Sequence, residues 1–463
     1  MADAPRCEDD AVPSGDLLDV LLAGGRRAES VTHVRHLEAR EGRTVDWPDW
    51  ADPELVAGYR ALGVARPWAH QAQAAEAAWN GRHTVVATST GSGKSLAFWL
   101  PALSAVRHSA ARAQHEPGRI ENHGRRAATL YLCPTKALAA DQLTAVERLL
   151  AAAGVRDVRV TTCDGDSSSD ERRWAREYAD VVLTNPDFLH FALLPQHQRW
   201  ARLLAGLRYV VVDEGHAYRG VFGAHVGLVL RRLRRLAEAY GAHPTFVLAS
   251  ATTADPAVST ARLIGVEPSQ VEAVTDDASP AGRRTVVLWR PPELPGTGSP
   301  FDDGDDDLWG PLDRPRRTAT AETADLLADL VTAGARTLAF TRSRRGAESV
   351  AASTRRHLAQ VDASLPRLVS AYRGGYLPEE RRALEAAIRT GALRALATTN
   401  ALELGVDITG LDAVLIAGWP GTRVSFWQQV GRAGRAGTEG LAVLVAREDP
   451  LDTYLVLHPE AVL

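Results

Sequence analysis

The chain is poor in cysteine and carries no strong net charge. Only Cys7, Cys133 and Cys163 occur among its 463 residues, too few and too scattered for a disulfide framework or a four-cysteine zinc site. We therefore expect a protein of a reducing compartment that binds no zinc. The formal net charge is −4, so any nucleic acid must be held by a local basic surface and not by an overall basic field.

The sequence also lacks long apolar runs. No uninterrupted apolar stretch approaches the roughly 20 residues needed to cross a bilayer, and residues 1–15 are acidic, without the apolar core of a signal peptide. These absences predict a cytoplasmic protein with no membrane partner. Its proportion of apolar residues, 45%, is ordinary for a soluble globular protein, and its length allows roughly two to four domains.

Short apolar, β-branched runs alternate with helical segments in two parts of the chain. This alternation predicts an α/β fold in which two parallel sheets are flanked by helices. The predicted strands are 84–87, 129–133, 158–162, 180–184, 209–213 and 246–250 in the first part, and 337–341, 368–371, 395–399, 414–417 and 441–445 in the second.

The predicted domains follow from these two parts. We expect a partly disordered extension over 1–52, a nucleotide-binding domain over 53–275, a linker over 276–318 and a second domain over 319–463. The linker contains Pro, Gly and an acidic cluster at 302–307, a composition typical of a solvated connection.

Residues 87–95 read Ala-Thr-Ser-Thr-Gly-Ser-Gly-Lys-Ser and join a predicted strand to an amphipathic helix. In such a loop the glycines let backbone N–H groups approach phosphate oxygens, and the helix N-terminus favours negative charge. Lys94 can reach the β- and γ-phosphates, and Ser95 can ligate Mg²⁺. Thr88 stands where the general pattern has its first glycine. The alternative, a glycine-rich connection, would not require a Lys-Ser pair. The predicted nucleotide-binding residues are Thr90, Gly91, Ser92, Gly93, Lys94 and Ser95.

Two adjacent carboxylates follow the predicted strand at 209–213. Asp213 and Glu214 would lie at the carboxyl end of that strand, where open α/β sheets bind their ligands. Asp213 could complete the ligand shell of Mg²⁺, and Glu214 could orient or deprotonate an attacking water. By itself the pair could be a polar turn. After a phosphate-binding loop it predicts catalytic carboxylates.

The second part of the chain supplies cationic groups. Residues 428–435 read Gln-x-x-Gly-Arg-x-Gly-Arg, and Arg432 and Arg435 are three positions apart on one helix face or turn. Guanidinium groups suit the charge of a γ-phosphate, so both could act as catalytic arginines contributed across a domain interface. The alternative is a solvated basic helix end.

In their order, these motifs resemble those of superfamily 2 helicases of the DEAD/DEAH-like group, over residues 68–437. The resemblance implies two tandem RecA-like domains, ATP and Mg²⁺ as cofactors, and single-stranded or tailed DNA, or RNA, as the partner. It also implies roles for further residues. These are Gln71 for the adenine base; Thr135, Lys136, Thr184, Asn185, Thr341, Arg342 and Thr399 for nucleic acid; Ser250 and Thr252 for coupling; and Gly405 and Asp407 for the nucleotide.

Residues 213–216, 401–405 and 427–435 resemble one subgroup in particular, the 3′-5′ DNA helicases of the mitomycin-repair type. Relatives in that subgroup carry a C-terminal zinc domain, whereas this chain stops at Leu463, so we expect a shortened member or a fragment. Thr88 fits the helicase form of the loop. Three functions stay open: a DNA helicase, an RNA helicase, and a nucleic-acid-binding scaffold with weak ATPase activity. The oligomeric state is open as well.

Two further features have a favoured and a less favoured interpretation. The run of Arg231, Arg232, Arg234 and Arg235 could follow phosphates, but a solvated helix face is favoured. Trp427 could stack on a base, although Trp is common in cores and interfaces.

Overall fold

The computed structural model describes residues 14–115, 126–251, 254–294, 315–403, 408, 411–434 and 439–463. Four predicted site residues, Thr252, Gly405, Asp407 and Arg435, lie outside the described residues, as does the acidic cluster at 302–307.

Strands and helices alternate along the chain. The strands are β1 (Val31–Leu37), β2 (His83–Ala87), β3 (Ala128–Leu132), β4 (Val160–Thr162), β5 (Val181–Thr184), β6 (Leu207–Val212), β7 (Thr245–Ser250), β8 (Val271–Val274), β9 (Arg284–Trp289), β10 (Thr337–Thr341), β11 (Val369–Tyr372), β12 (Ala395–Thr398), β13 (Ala413–Ala417) and β14 (Gly440–Val445). The helices are α1 (Ser14–Leu22), α2 (Pro53–Ala61), α3 (Ala69–Trp79), α4 (Ser95–His115), α5 (Lys136–Ala152), α6 (Ser169–Tyr178), α7 (Pro186–Phe188), α8 (Ala201–Gly206), α9 (Gly220–Ala239), α10 (Pro256–Ile264), α11 (Ala319–Thr332), α12 (Arg344–Val361), α13 (Pro378–Thr390), α14 (Arg423–Val430) and α15 (Pro450–Leu457).

Several helices begin at a side chain that accepts hydrogen bonds from the first turn. Asp52 before α2 accepts from the N–H groups of Glu54 and Leu55, and Pro53 occupies the first helical position, where its missing N–H costs nothing. Similar caps precede other helices, at Thr135, Ser168, Thr318, Ser343, Thr422 and Asp449.

The first lobe comprises Glu41–Ser279. Its seven-stranded sheet has the order β4-β5-β3-β6-β7-β2-β8, and all of the pairings are parallel. The central strands β3 and β7 are buried throughout, because helices cover both faces of the sheet. That double burial explains why the strands read as nearly continuous apolar runs.

The second lobe comprises Met1–Arg40 with Pro280–Leu463, as far as these are described. Its seven-stranded sheet has the order β1-β9-β14-β13-β10-β12-β11. All of its pairings are parallel except that of the edge strand β1, which runs antiparallel to β9. The two sheets confirm the predicted α/β fold of two RecA-like domains.

The lobe boundaries differ from the expected extension and linker. Within the expected extension, β1 joins the second sheet, and Leu17 and Leu21 of α1 are fully buried in that lobe's core. Within the expected linker, β9 lies between β1 and β14. Both strands pair with residues far away in the sequence, and β1 is a half-exposed edge strand with polar side chains. The local pattern therefore gave no sign of β1. The apolar run of β9 is a strand pattern that the expected linker overlooked.

The predicted strands match observed ones to within about two residues at each end. The short strand β8 was not predicted; it forms an edge of the first sheet. Within the described residues, no helix combines the length and the apolar character needed to cross a bilayer.

Candidate functional site

The parallel sheet of the first lobe brings five predicted segments to one edge. Strands β2, β3, β5, β6 and β7 end there, since parallel strands share their carboxyl edge. The phosphate-binding loop follows β2, Asp213 follows β6, and Ser250 ends β7. Thr135 follows β3, and Asn185 follows β5. Distant parts of the sequence therefore form one functional surface in this lobe.

The loop after β2 has the backbone of an anion-binding site. Gly91 and Gly93 have φ of 83° and 70°, in the left-handed region that favours glycine. Successive N–H groups in such a conformation converge and bind anions. The Lys94 ammonium donates to the carbonyl oxygens of Thr88 and Ser89 at 3.1 and 2.8 Å. Lys94 therefore lies folded over the loop that it is predicted to serve.

Thr88 has a structural role at the position of the usual glycine. It is buried, and its Oγ1 lies 2.7 Å from Oγ of Ser92, which is also buried. Its φ is not positive, so this position does not need glycine's conformational freedom. The hydroxyl pair instead ties the two sides of the loop together.

Two residues of α3 hold the loop from behind. Gln71 donates from Nε2 to the Gly93 carbonyl at 2.8 Å and accepts at Oε1 from the Trp68 N–H at 2.8 Å. His70 Nδ1 accepts from the Ala278 N–H, so the proton lies on Nε2, which faces the Ser92 carbonyl at 3.1 Å. The structure thus brings Gln71, predicted to bind adenine, against the phosphate-binding loop.

Sequence reasoning missed Asp277, which follows β8. Its Oδ2 accepts hydrogen bonds from the N–H and the hydroxyl of Ser89 in the loop. Its Oδ1 accepts from the Ser279 hydroxyl at 2.7 Å. Asp277 lies about 190 residues after the loop and belongs to none of the motifs, so only the fold brings the two together.

Asp213 lies in a buried, hydrogen-bonded position. Its Oδ2 accepts from the Tyr131 hydroxyl at 2.6 Å and its Oδ1 from the Glu214 N–H at 2.8 Å. Burial, together with the neighbouring Glu214 carboxylate, raises the pKa of Asp213 to about 6, while Tyr131 and the Lys94 ammonium act in the opposite direction. The Asp213 carboxyl and the Lys94 ammonium are therefore close enough to interact electrostatically.

Glu214 has an unusual backbone conformation. Its φ is 50°, and within the described residues it shares a positive φ with only one other residue that is not glycine, Ala23. Such strain is often found at functional sites. One Glu214 carboxylate oxygen lies 3.4 Å from Nδ1 of His216, and this nitrogen also accepts from the Ala251 N–H at 3.3 Å. His216 therefore links the carboxylate pair to the predicted coupling segment at Ser250.

The predicted nucleic-acid residues of the first lobe shape the turns at the same edge. Thr135 caps α5 by accepting from Leu138 N–H at 3.3 Å, and Asn185 caps α7 by accepting from Phe188 N–H at 2.9 Å. Lys136 forms ion pairs with Asp164 and Asp166. Thr184 is buried.

The second lobe brings Thr341, Arg342 and Thr399 to the carboxyl ends of the neighbouring strands β10 and β12. Thr341 donates to the carbonyl oxygens of Ser343 and Thr398, at 3.0 and 3.1 Å. Arg342 is exposed.

Arg432 lies in a turn after α14 and is 3% exposed. Its Nη2 donates to the Glu403 carbonyl at 2.6 Å. The Glu403 carboxylate, which sequence reasoning did not single out, accepts from Ser425 at 2.5 Å and from Gln429 at 2.9 Å. Glu403 therefore joins the segment after β12 to the predicted catalytic arginine.

Comparisons with known proteins agree with these features. The family model of DEAD/DEAH box helicases matches residues 68–260, and the model of the helicase conserved C-terminal domain matches residues 322–437. The two matches together cover more than half of the chain.

Similar proteins are also found in full-length comparisons. The chain is 37% identical over 443 residues to the uncharacterized ATP-dependent helicase YprA of Bacillus subtilis, covering 96% of this chain and 54% of YprA. It is 36% identical over 436 residues to the ATP-dependent helicase HRQ1 of Saccharomyces cerevisiae, and the match covers 93% of this chain and 38% of HRQ1. The crystal structure of the DUF1998 helicase MrfA bound to DNA and AMPPNP matches with a TM-score of 0.82 at 36% identity, covering 96% of this chain and 57% of MrfA. The chain thus spans about half the length, or less, of the curated relatives named here.

Proposed function

Since the chain belongs to the DEAD/DEAH box helicase family, we propose that it is an ATP-dependent helicase or translocase that acts on DNA with 3′-5′ polarity. The main support is the first-lobe site, in which the Lys94 ammonium is close enough to influence the Asp213 carboxyl. An amine for phosphate and a carboxylate for a metal ion, at one sheet edge, are what phosphoryl transfer from ATP requires.

The loop would bind the triphosphate. The N–H groups around Gly91 and Gly93 would donate hydrogen bonds to phosphate oxygens, and Lys94 would exchange its bonds to the Thr88 and Ser89 carbonyls for bonds to the β- and γ-phosphates. Gln71 would hold the loop and contact adenine beside it. Glu214 would orient the attacking water or accept its proton.

The donor set fits Mg²⁺. A hydroxyl at Ser95 and a carboxylate at Asp213 are hard oxygen ligands, which Mg²⁺ prefers together with phosphate oxygens. When bound, the ion would neutralise charge on the phosphates. Tyr131 would keep Asp213 oriented, since its hydroxyl already binds one carboxylate oxygen.

The second lobe carries the proposed catalytic arginines. Arg432 and Arg435 are proposed to stabilise the charge of the transferring phosphoryl group, as catalytic arginines do in related NTPases. The Glu403 carbonyl that accepts from Arg432 would hold the guanidinium in position. Ser250 and Thr252 are proposed to couple hydrolysis to movement of the bound strand.

The nucleic acid would be held through its backbone. Thr135, Lys136 and Asn185 in the first lobe, with Thr341 and Arg342 in the second, carry hydroxyl, amide and cationic groups suited to phosphates. Thr184 and Thr399 would contribute at the same edges. Such contacts predict salt-sensitive binding without sequence preference. DNA is favoured over RNA because MrfA, at 36% identity, has been crystallised with DNA.

Hydrolysis of ATP by this chain, measured with single-stranded DNA, with RNA and without nucleic acid, tests the proposal. The lysines Lys94 and Lys136 provide matched variants. Lys94→Ala should abolish turnover, whereas Lys136→Ala should retain ATP binding and need more DNA for stimulation. Stronger stimulation by RNA would favour an RNA helicase, and turnover that survives Lys94→Ala would favour a scaffold. Tailed duplexes of both polarities test the 3′-5′ assignment.

A further inference from the structure

The outer surface of α9 carries two neighbouring cavities that the nucleotide site does not use. One is a groove of about 650 Å³ and the other a pocket of about 510 Å³. Leu228, which is 63% exposed, lines both. We name the two cavities together the α9 surface.

The groove is basic. Arg219, Arg231 and Arg262 line it, along with Ser259. Among the described residues that line this groove there is no carboxylate. Three guanidinium groups without a neutralising acid in the lining make the groove complementary to an anion.

The pocket is aromatic. Phe191 and Phe222 line it and are 74% and 47% exposed. His190, His225 and Arg232 lie around them, and Asp187 is the one carboxylate among the described lining residues. Exposed aromatic rings beside cationic groups are typical of surfaces that stack nucleobases.

The pocket adjoins the segment already proposed to hold the strand. Pro186 lines it and directly follows Asn185, which caps the short helix α7. A strand that passes Asn185 would therefore reach the pocket next.

Helical spacing places the two cavities on the two flanks of the exposed face of α9. Residues 222, 225, 229 and 232 of α9 face the pocket, and residues 220, 223, 227 and 231 face the groove. Steps of three and four residues put each set on its own stripe, and the two stripes lie on opposite flanks of the helix, with the exposed Leu228 on the face between them. One extended strand that crosses this exposed face at Leu228 could therefore touch both cavities.

The same geometry separates the four arginines of the run at 231–235. Arg234 donates to the carbonyl oxygens of Ile264 and Gly265 at the end of α10. Arg231 lines the groove, and Arg232 lines the pocket. Arg235 is exposed and lines neither cavity. The run is thus neither one continuous row for phosphates nor a uniformly solvated face.

We propose that the α9 surface binds single-stranded nucleic acid, with phosphates in the basic groove and a base against Phe191 and Phe222. This inference rests on the proposed function and extends it, because it adds a binding surface beyond the segments that the helicase motifs identify. The rings supply stacking with little sequence preference, and the arginines supply salt-dependent affinity.

Binding of fluorescent oligonucleotides to the whole chain tests the proposal. The probes are a 20-nucleotide oligothymidylate and an abasic phosphodiester of equal length, titrated at several salt concentrations. One variant carries Phe191→Ala with Phe222→Ala, and the other carries Arg219→Gln with Arg262→Gln, both in the groove. The matched controls are Trp174→Ala, another exposed aromatic of the first lobe, and Arg235→Gln on α9.

The aromatic variant should bind oligothymidylate about tenfold more weakly and the abasic probe as the wild type does. The arginine variant should weaken binding of both probes and lower the slope of log K against log salt by about 1.4, or about 0.7 for each arginine. Both controls should behave as the wild type.

Wild-type affinities and slopes in both variants would overturn the inference while leaving the proposed function intact, provided that DNA still stimulates ATP hydrolysis. Unchanged affinities for both probes, together with a lower molar mass of the variants in light scattering, would show that the α9 surface joins copies of the chain. That result would also overturn the inference. A wild-type chain that neither binds DNA nor responds to it would overturn both proposals.

Discussion

The buried hydroxyl of Tyr131 donates a hydrogen bond to Oδ2 of Asp213 over 2.6 Å, from the neighbouring strand β3. This bond lowers the pKa of Asp213 against the stronger effect of burial, which raises it. The proposed metal ligand therefore depends on a residue outside the helicase motifs.

Removal of that hydroxyl should impair metal-dependent nucleotide binding. In Tyr131→Phe the pKa of Asp213 rises further, so a larger fraction is protonated at pH 7 and the affinity for Mg²⁺·ATP should fall several-fold. Tyr209→Phe is the matched control, since the hydroxyl of this buried tyrosine of β6 lies 3.5 Å from the Ala78 carbonyl. Equal affinities of the two variants, measured with a fluorescent ATP analogue, would contradict the assigned role of Tyr131.

The affinity for Mg²⁺·ATP should depend on pH in the window around 6. The pKa of Asp213 is raised to about 6, so the carboxyl is protonated below that pH and cannot ligate a cation. The affinity should therefore increase as the pH rises from 5 to 7, by up to about tenfold for each pH unit below the pKa. Calorimetric titration checks this, and Asp213→Asn should bind Mg²⁺·ATP weakly, with no such rise in affinity between pH 5 and 7. A rise that persists in Asp213→Asn would assign the titration to another group.

Replacement of Thr88 by the glycine of the general pattern should weaken the site. Thr88→Gly removes the hydroxyl that lies 2.7 Å from that of Ser92, a loss of about 1 kcal/mol, and adds backbone freedom to the loop. We expect about fivefold weaker ATP binding, which is that free energy expressed as a ratio. Thr88→Ser keeps the hydroxyl and should bind ATP nearly as the wild type does. Tighter binding by Thr88→Gly would show that the threonine is not needed.

His216 should matter more for stimulated turnover than for ATP binding. Its Nδ1 accepts from the Ala251 N–H next to Ser250 and lies 3.4 Å from a Glu214 carboxylate oxygen. His216→Ala should lower DNA-stimulated hydrolysis by up to about tenfold, because the lost hydrogen bond is worth up to about 1.5 kcal/mol. His243→Ala, at an exposed position, is the control. A parallel loss of ATP affinity would show a general effect on the site.

Arg432 requires a test that separates catalysis from folding. The side chain is buried, so Arg432→Ala should lower the stability of the second lobe as well as the rate of ATP hydrolysis. Arg432→Lys keeps a cation and should lower turnover at least about 100-fold, because a lysine cannot reproduce the planar guanidinium. ATP affinity and the thermal midpoint should change little. Turnover near that of the wild type would exclude a catalytic role for Arg432.

The sequence by itself determined the family and predicted the position of the chemistry. Lys94, Asp213 and Glu214 were predicted from local patterns, because a phosphate-binding loop and a strand ending in carboxylates each have a signature within a few residues. The family match over 68–260 and 322–437 confirms the resemblance. The central strands were predicted for the same reason, since burial on both faces makes each an apolar run.

The tertiary structure decided what surrounds those groups. Asp277 reaches Ser89 across about 190 residues, and β1 pairs with β9 across about 250. Neither Asp277 nor β1 has a local signature, because each contact exists only when the chain has folded. The same holds for Tyr131. Nothing in the local sequence distinguishes it from other buried tyrosines, and its hydroxyl reaches Asp213 only because the strand order puts β3 beside β6. Local patterns specify which groups are present, whereas strand order and burial set their partners, their pKa values and the surfaces left exposed.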